Sequence, residues 1–150
     1  MGTPITALFG RGANGLPPAE PLDLASLVLP PSPNTCLAAP PGAPGPVPHR
    51  VLPPFAATPA ALWAAVQQAA GAQPRTTLLA AWPEHLQAQW VERSAIMNYP
   101  DIIVALLLPD GDRTGLVLYS RSLFGWSDLG VNAKRVDRWI AAIESALPRG

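Results

Sequence analysis

The chain has 150 residues, ten basic and ten acidic side chains, and a formal net charge of zero; hydrophobic residues make up 49% and charged residues 13%. That length suits a single domain with a core of its own, and the composition excludes a solvated, disordered chain. Zero net charge removes the electrostatic footprint of a nucleic-acid binder, and the single cysteine, Cys36, excludes a disulfide framework or a multi-cysteine metal site.

Residues 1–54 read as an extended, proline-rich arm. Thirteen of the 20 prolines fall between positions 17 and 54, and each removes a backbone donor and biases its neighbour toward extended geometry. A short apolar piece at 22–29 fits one turn or a brief edge element. Two readings stay open: a tail or linker, or a strap lying across the domain with Leu24, Leu27, Val28, Leu37 and Val51 as anchors. Cys36 has no cation or histidine beside it and reads as a small buried apolar residue.

Residues 55–150 read as one domain. Thr58 as N-cap, Pro59 at the first helical position and Gly71 as the stop predict a helix over 58–70, with Leu62, Val66 and Ala69 on one face. Four strands are predicted next, at 76–82, 86–93, 102–108 and 114–120. In the second, Leu86, Ala88 and Trp90 alternate with Gln87 and Gln89, the period of a half-buried strand. Pro109-Asp110-Gly111-Asp112 makes the last two strands a hairpin. A final helix is expected after Asn132, as its N-cap, to about position 147, with Val136, Trp139, Ile140, Ile143 and Leu147 forming an apolar stripe.

Helix, four strands, helix predicts an α+β fold: a two-layer sandwich whose four-stranded antiparallel sheet carries both helices on one face, preceded by the arm. Positions 102–108 are apolar on both sides of their strand, so the second sheet face needs a cover. The arm, a second protomer, a protein partner or a lipophilic ligand would each serve.

The segment 119–139 concentrates the polar chemistry. Ser120-Arg121-Ser122, Gly125, Ser127-Asp128-Leu129-Gly130-Val131-Asn132 and Arg135-Val136, with Ser32-Pro33-Asn34-Thr35-Cys36-Leu37-Ala38 and Arg93-Ser94…Tyr99-Pro100-Asp101 upstream, resemble the signature of an uncharacterised, mainly bacterial family, domain of unknown function 1499. The resemblance spans about positions 31–147 and implies no established activity. The chain departs from it at Leu123, where the family usually carries a second arginine.

Three kinds of chemistry bear on this segment. A serine hydrolase would use Ser122 or Ser127 with Asp128 and His85, although no serine sits in a Gly-x-Ser-x-Gly elbow. An anion site would use the glycine-rich approach to the helix, with Arg121, Lys134 and Arg135 supplying charge. Against it, Asp128 could itself accept from the helix amides or pair with Arg135 or Arg121. No histidine pair has metal-ligand spacing, and no cofactor motif is present. Trp126, with Phe124 near it, is the candidate exposed anchor.

The expected function is non-catalytic: a binding or interaction protein, either an accessory subunit or a binder of a lipophilic ligand or membrane-associated partner. Its binding residues would be Arg121, Gly125, Trp126, Ser127, Asp128, Gly130, Asn132 and Arg135. The alternative is the serine hydrolase. No cofactor and no nucleic acid are expected, and the apolar sheet face would meet a protein partner or a second copy. Neither a signal peptide nor a spanning segment is evident, so the expected location is cytoplasmic, with peripheral attachment to a membrane as the variant.

Overall fold

The structure is a computed structural model and describes residues 4–125 and 128–148. The architecture is α+β, with two helices and a six-stranded mixed sheet. The strands are β1 (Thr35–Ala39), β2 (Arg50–Val51), β3 (Thr76–Trp82), β4 (Gln87–Arg93), β5 (Pro100–Asp110) and β6 (Arg113–Ser122), and the helices are α1 (Pro59–Gly71) and α2 (Val131–Ala146). Sheet order is β2-β1-β6-β5-β4-β3, and only the β1–β2 pair is parallel.

The four predicted strands and both helices form. Thr58 caps α1 as expected, its hydroxyl accepting from the Ala61 N–H at 3.1 Å. The sheet is nevertheless larger than the expected four antiparallel strands. Proline density hid β1: Pro33 and Pro40 bracket the proline-free run Thr35-Cys36-Leu37-Ala38-Ala39, so they end the strand without interrupting its ladder. β1 then pairs along β6 in the sheet interior, Cys36 opposite Ser120 and Ala38 opposite Leu118.

Alternation along the strands builds two apolar layers. On one face Cys36, Ala38, Ala88, Trp90, Ile103 and Leu118 meet Leu62 and Val66 of α1 and Val136, Trp139 and Ile143 of α2. Trp139 is fully buried, edge-on to Trp90 with ring centroids 5.3 Å apart. Cys36 belongs to this layer, where burial pushes its thiol pKa up, as expected of an inert packing residue.

On the other face Leu37, Val91, Ile102, Val104, Val117 and Tyr119 are buried, and arm residues pack over them. Leu24, in a 3-10 turn at Leu24–Ser26, is buried there, and Leu27 is partly buried against the same layer. Val28 and Val51, also considered as anchors, are exposed.

Among the described residues the arm ahead of β1 contributes no strand to the sheet, and polar side chains hold it there instead. Gln87 and Gln89 occupy the face that alternation assigned them, but they are buried rather than wet. The Gln87 amide accepts from the Leu22 N–H at 2.6 Å and donates to the Leu22 carbonyl at 3.1 Å, and Gln89 donates to the Glu20 carbonyl at 2.7 Å. Arg93 donates to the carbonyls of Ala7, Gly12, Asn14 and Asn98. Its guanidinium is almost fully buried and has no carboxylate partner among the described residues, and burial lowers its pKa.

Candidate functional site at the polar end of the sheet

Three adjacent strands bring polar residues to one end of the helix face. Glu92 of β4 stands opposite Asp101 of β5, and Asp101 opposite Ser122 of β6. All of Glu92, Asp101, Ser120, Asn132 and Arg135 are buried. Arg135, on the inward side of α2, holds the cluster together. Its Nε donates to Glu92 Oε2 at 2.9 Å, and its Nη1 lies 2.8 Å from Asp101 Oδ2 and donates to Asn132 Oδ1 at 2.8 Å. Arg138, half-exposed, adds a two-pronged contact to Glu92 at 2.6 and 2.8 Å.

Two arginines thus face two carboxylates, and the electrostatics follow from how they are shared. Burial works to raise the Glu92 pKa, but the Arg135 and Arg138 guanidinia outweigh it and hold the carboxyl below its ordinary range. Asp101 has only Arg135 and the Ser122 hydroxyl, and burial leaves its carboxyl above its ordinary range.

Asn132 was expected as the N-cap of the last helix. It lies instead inside the first turn of α2, where its side chain ties that turn to two strands. Ser120 Oγ donates to its Oδ1, and its Nδ2 donates to the Asn34 carbonyl at 2.9 Å, to Ser122 Oγ at 2.8 Å and to Asp128 Oδ2 at 2.6 Å. Asp128 supplies the capping carboxylate, accepting from the Gly130 N–H at 2.7 Å and from the Asn132 N–H at 3.2 Å. Gly130 takes φ +84°, the left-handed geometry that the entry to α2 requires.

That arrangement disposes of the anion site at the α2 N-terminus. The space an anion would take against the helix amides is filled by Asp128, and the three cations diverge: Arg135 turns inward, Lys134 is exposed on the helix, and Arg121 lies on the arm face of β6. Gly125 has φ +87°, and its carbonyl accepts from Asn34 Nδ2 at 2.9 Å. Trp126 and Ser127 lie outside the described residues. Phe124 stacks on Tyr99, ring centroids 6.5 Å apart.

Of the two serines considered for a hydrolase, Ser127 lies outside the described residues, and Ser122 does not come together with His85. His85 is exposed in the 3-10 turn between β3 and β4, next to the strand end where Gln87 faces Leu106, whereas Ser122 faces Asp101. Five residues of β5 separate those ends, so His85 and Ser122 are on the order of 20 Å apart. The other histidine, His49, shares a shallow cleft with Ser32 and Asp128, but its Nδ1 accepts from the Leu37 N–H at 2.9 Å. In the neutral ring the proton then sits on Nε2, leaving no base there.

Sequence reasoning missed Glu92 and Asp101. A signal was present: Glu92 shares parity with Ala88 and Trp90, so a charge stood on the core side of its strand, and Arg135 precedes Val136 on the inward side of the helix. A charge on an apolar face calls for a buried partner.

The arm face holds an opening of a different kind. A cleft of about 800 Å³ runs between the arm and the sheet, with Leu79, Ile102, Val104 and Leu123 among its apolar walls and Tyr119 and Arg121 on the sheet side. Arg121 is exposed and has no carboxylate partner among the described residues. Burial raises the Tyr119 pKa, partly offset by Arg121. Among the described residues no cluster of three His, Cys, Asp or Glu side chains could hold a metal, and no helix is long and apolar enough to cross a membrane.

No curated protein sequence matches the chain. A crystal structure of protein MLL2253 from Mesorhizobium loti is similar in part, at 11% identity and a TM-score of 0.47, covering 61% of this chain and 90% of that one. The family model described as a protein of unknown function, DUF1499, matches residues 27–143, which include β1, the buried cluster and nearly all of α2. The chain belongs to that family.

Proposed function

We propose that this protein is a binding protein without catalytic machinery, and that its ligand is a lipophilic anion held between the arm and the sheet. The observation that carries the reading is the 800 Å³ cleft, whose largely apolar lining includes a phenol and, two residues on in the same strand, a guanidinium without a carboxylate partner among the described residues. Apolar walls contribute affinity through burial, while Tyr119 and Arg121 supply the few directed contacts that fix a carboxylate or phosphate head. Glu20 and Asp23 line the arm side of the cleft and repel an anion there, which orients the head toward β6. The segment 120–135 that carries the family signature then serves chiefly to tie α2 to the strands, with Arg121 as its contribution to binding.

The experiment is displacement of a fluorescent long-chain fatty acid, followed by titration with unlabelled acids, amines and alcohols of the same chain length. Saturable binding is expected, with acids preferred and a loss of about tenfold or more in Arg121→Glu at an unchanged melting temperature. An absence of saturable binding, or equal affinity in Arg121→Glu, would sink the proposal.

A further inference from the structure

The turn at 94–99 that joins β4 to β5 is fastened to the N-terminal 3-10 turn, Ile5–Phe9. Asn98 Nδ2 donates to the carbonyls of Leu8 and Gly10, both at 2.7 Å, and Arg93 Nη1 donates to the Ala7 carbonyl at 2.6 Å. These two segments therefore present one composite tip. Its outer side chains are large and apolar yet stand in water: Phe9 is 84% exposed and Ile96 93%, with Ile5 and Met97 also more than half exposed. Single exposed apolar residues are ordinary, but this set sits on two segments bonded to each other.

The three runs of chain that form the tip and the cleft beside it carry charge of one sign. Positions 4–14, 72–77 and 93–99 contain Arg11, Arg75 and Arg93 and no carboxylate. The nearest acids along the strands, Glu92 and Asp101, are buried on the opposite sheet face and engaged by Arg135. Arg75 donates through Nε to the Arg93 carbonyl at 2.8 Å, which leaves its terminal nitrogens without a partner among the described residues. Arg11 is exposed and forms no ion pair among the described residues. Between these three runs lies a polar cleft of about 690 Å³, walled by Phe9, Arg11, Arg75, Thr77, Ser94 and Asn98.

We propose that this tip docks onto an anionic phospholipid surface, independently of the cleft on the arm face. Phe9, Ile96 and Met97 enter the headgroup–acyl boundary, where apolar side chains gain burial without spanning the bilayer. Arg11 and Arg75 meet lipid phosphates, an attraction that depends on the negative potential of the leaflet and fades within a Debye length. The absence of any acid from these runs is the complementarity that selects a uniformly anionic surface over a protein surface of mixed charge. Arg93 and Asn98 hold the two segments in one geometry, so little ordering is lost on contact.

The test is co-sedimentation of the whole chain with vesicles of phosphatidylcholine alone or mixed with phosphatidylglycerol. Binding is expected only with the mixed vesicles, weakened by added salt. The pair Arg11→Glu and Arg75→Gln is expected to lose roughly tenfold or more, and Phe9→Asp with Ile96→Asp to lose at least as much, all at unchanged melting temperature. In Phe9→Trp/Ile96→Asp and Phe9→Trp alone, quenching by brominated acyl chains reports depth, and only the latter variant should be quenched. Equal binding to both vesicle types, no binding at all, or full displacement by inorganic phosphate at matched phosphate concentration would overturn the proposal. So would self-association in ultracentrifugation that Ile96→Asp abolishes without vesicle binding, which would give the tip to a second copy.

Discussion

The two faces of the sheet bury similar aliphatic side chains, yet they are closed by different means. On the helix face, α1 and α2 satisfy their own backbones and bring only side chains to the interface, so the layer is apolar except at the end where Arg135 meets Glu92, Asp101 and Asn132. On the arm face the cover has little backbone pairing of its own, and Gln87, Gln89, Arg93 and Asn98 stand in for the missing strand partners. A helix is a self-sufficient lid, whereas a proline-rich strap is held at discrete points. The difference teaches where each face gives way: the first as a whole with the domain, the second locally, point by point.

The largest effect should come from the helix face. Arg135→Met leaves Glu92 and Asp101 buried without their shared cation and should cost about 3–5 kcal/mol in denaturant unfolding. On the arm face Arg93→Met strands four carbonyls, at about 2–3 kcal/mol. Hydrogen exchange should then speed up over positions 4–29 while α2 keeps its protection; equal loss in both regions would erase the contrast between the faces.

Acid titration separates the two buried carboxylates. Glu92 has a folded-state pKa below its ordinary value of 4.5, so its stabilisation is present above 4.5 and lost as pH falls through the folded value. Asp101 is raised above 3.8, so its contribution is full below 3.8 and lost as pH rises through the folded value. Denaturation midpoints measured from neutral pH to below 3.8 should fall less steeply on acidification in Glu92→Gln than in the parent, and more steeply in Asp101→Asn.

Smaller effects sharpen the picture. Gln87→Leu removes both contacts to Leu22 and should cost about 1–2 kcal/mol, seen as faster exchange of the Leu22 amide. Gly130→Ala meets no atom within 4 Å but must hold φ +84°, so a loss of about 1 kcal/mol in unfolding free energy is expected from backbone strain alone.

How much of this was legible follows from which signals are local. Thr58-Pro59 and the apolar stripe of α2 carry their own start and phase, and both helices formed within a residue or two of expectation. Alternation put Gln87 and Gln89 on the correct face. It could not say that the face is covered, because the cover lies some 65 residues earlier in the chain. β1 was lost to proline counting, when the proline-free gap was the better cue. At the signature segment the residue types pointed to chemistry, but Asn132 and Asp128 complete one another and the strands, which only their three-dimensional partners reveal.

The pairing of β1 with β6 has a temporal consequence. Thr35 finds its partner at Arg121, 86 residues later in the chain, and Asn34 is bonded by Asn132 of the last helix. A chain emerging from its N-terminus thus extrudes the arm and β1 long before anything exists to receive them. Contacts this distant in sequence close slowly, so β1 joins the sheet only once β6 has been made. The prolines that flank β1 keep the waiting segment extended, and they deny neighbouring chains a long continuous edge on which to pair.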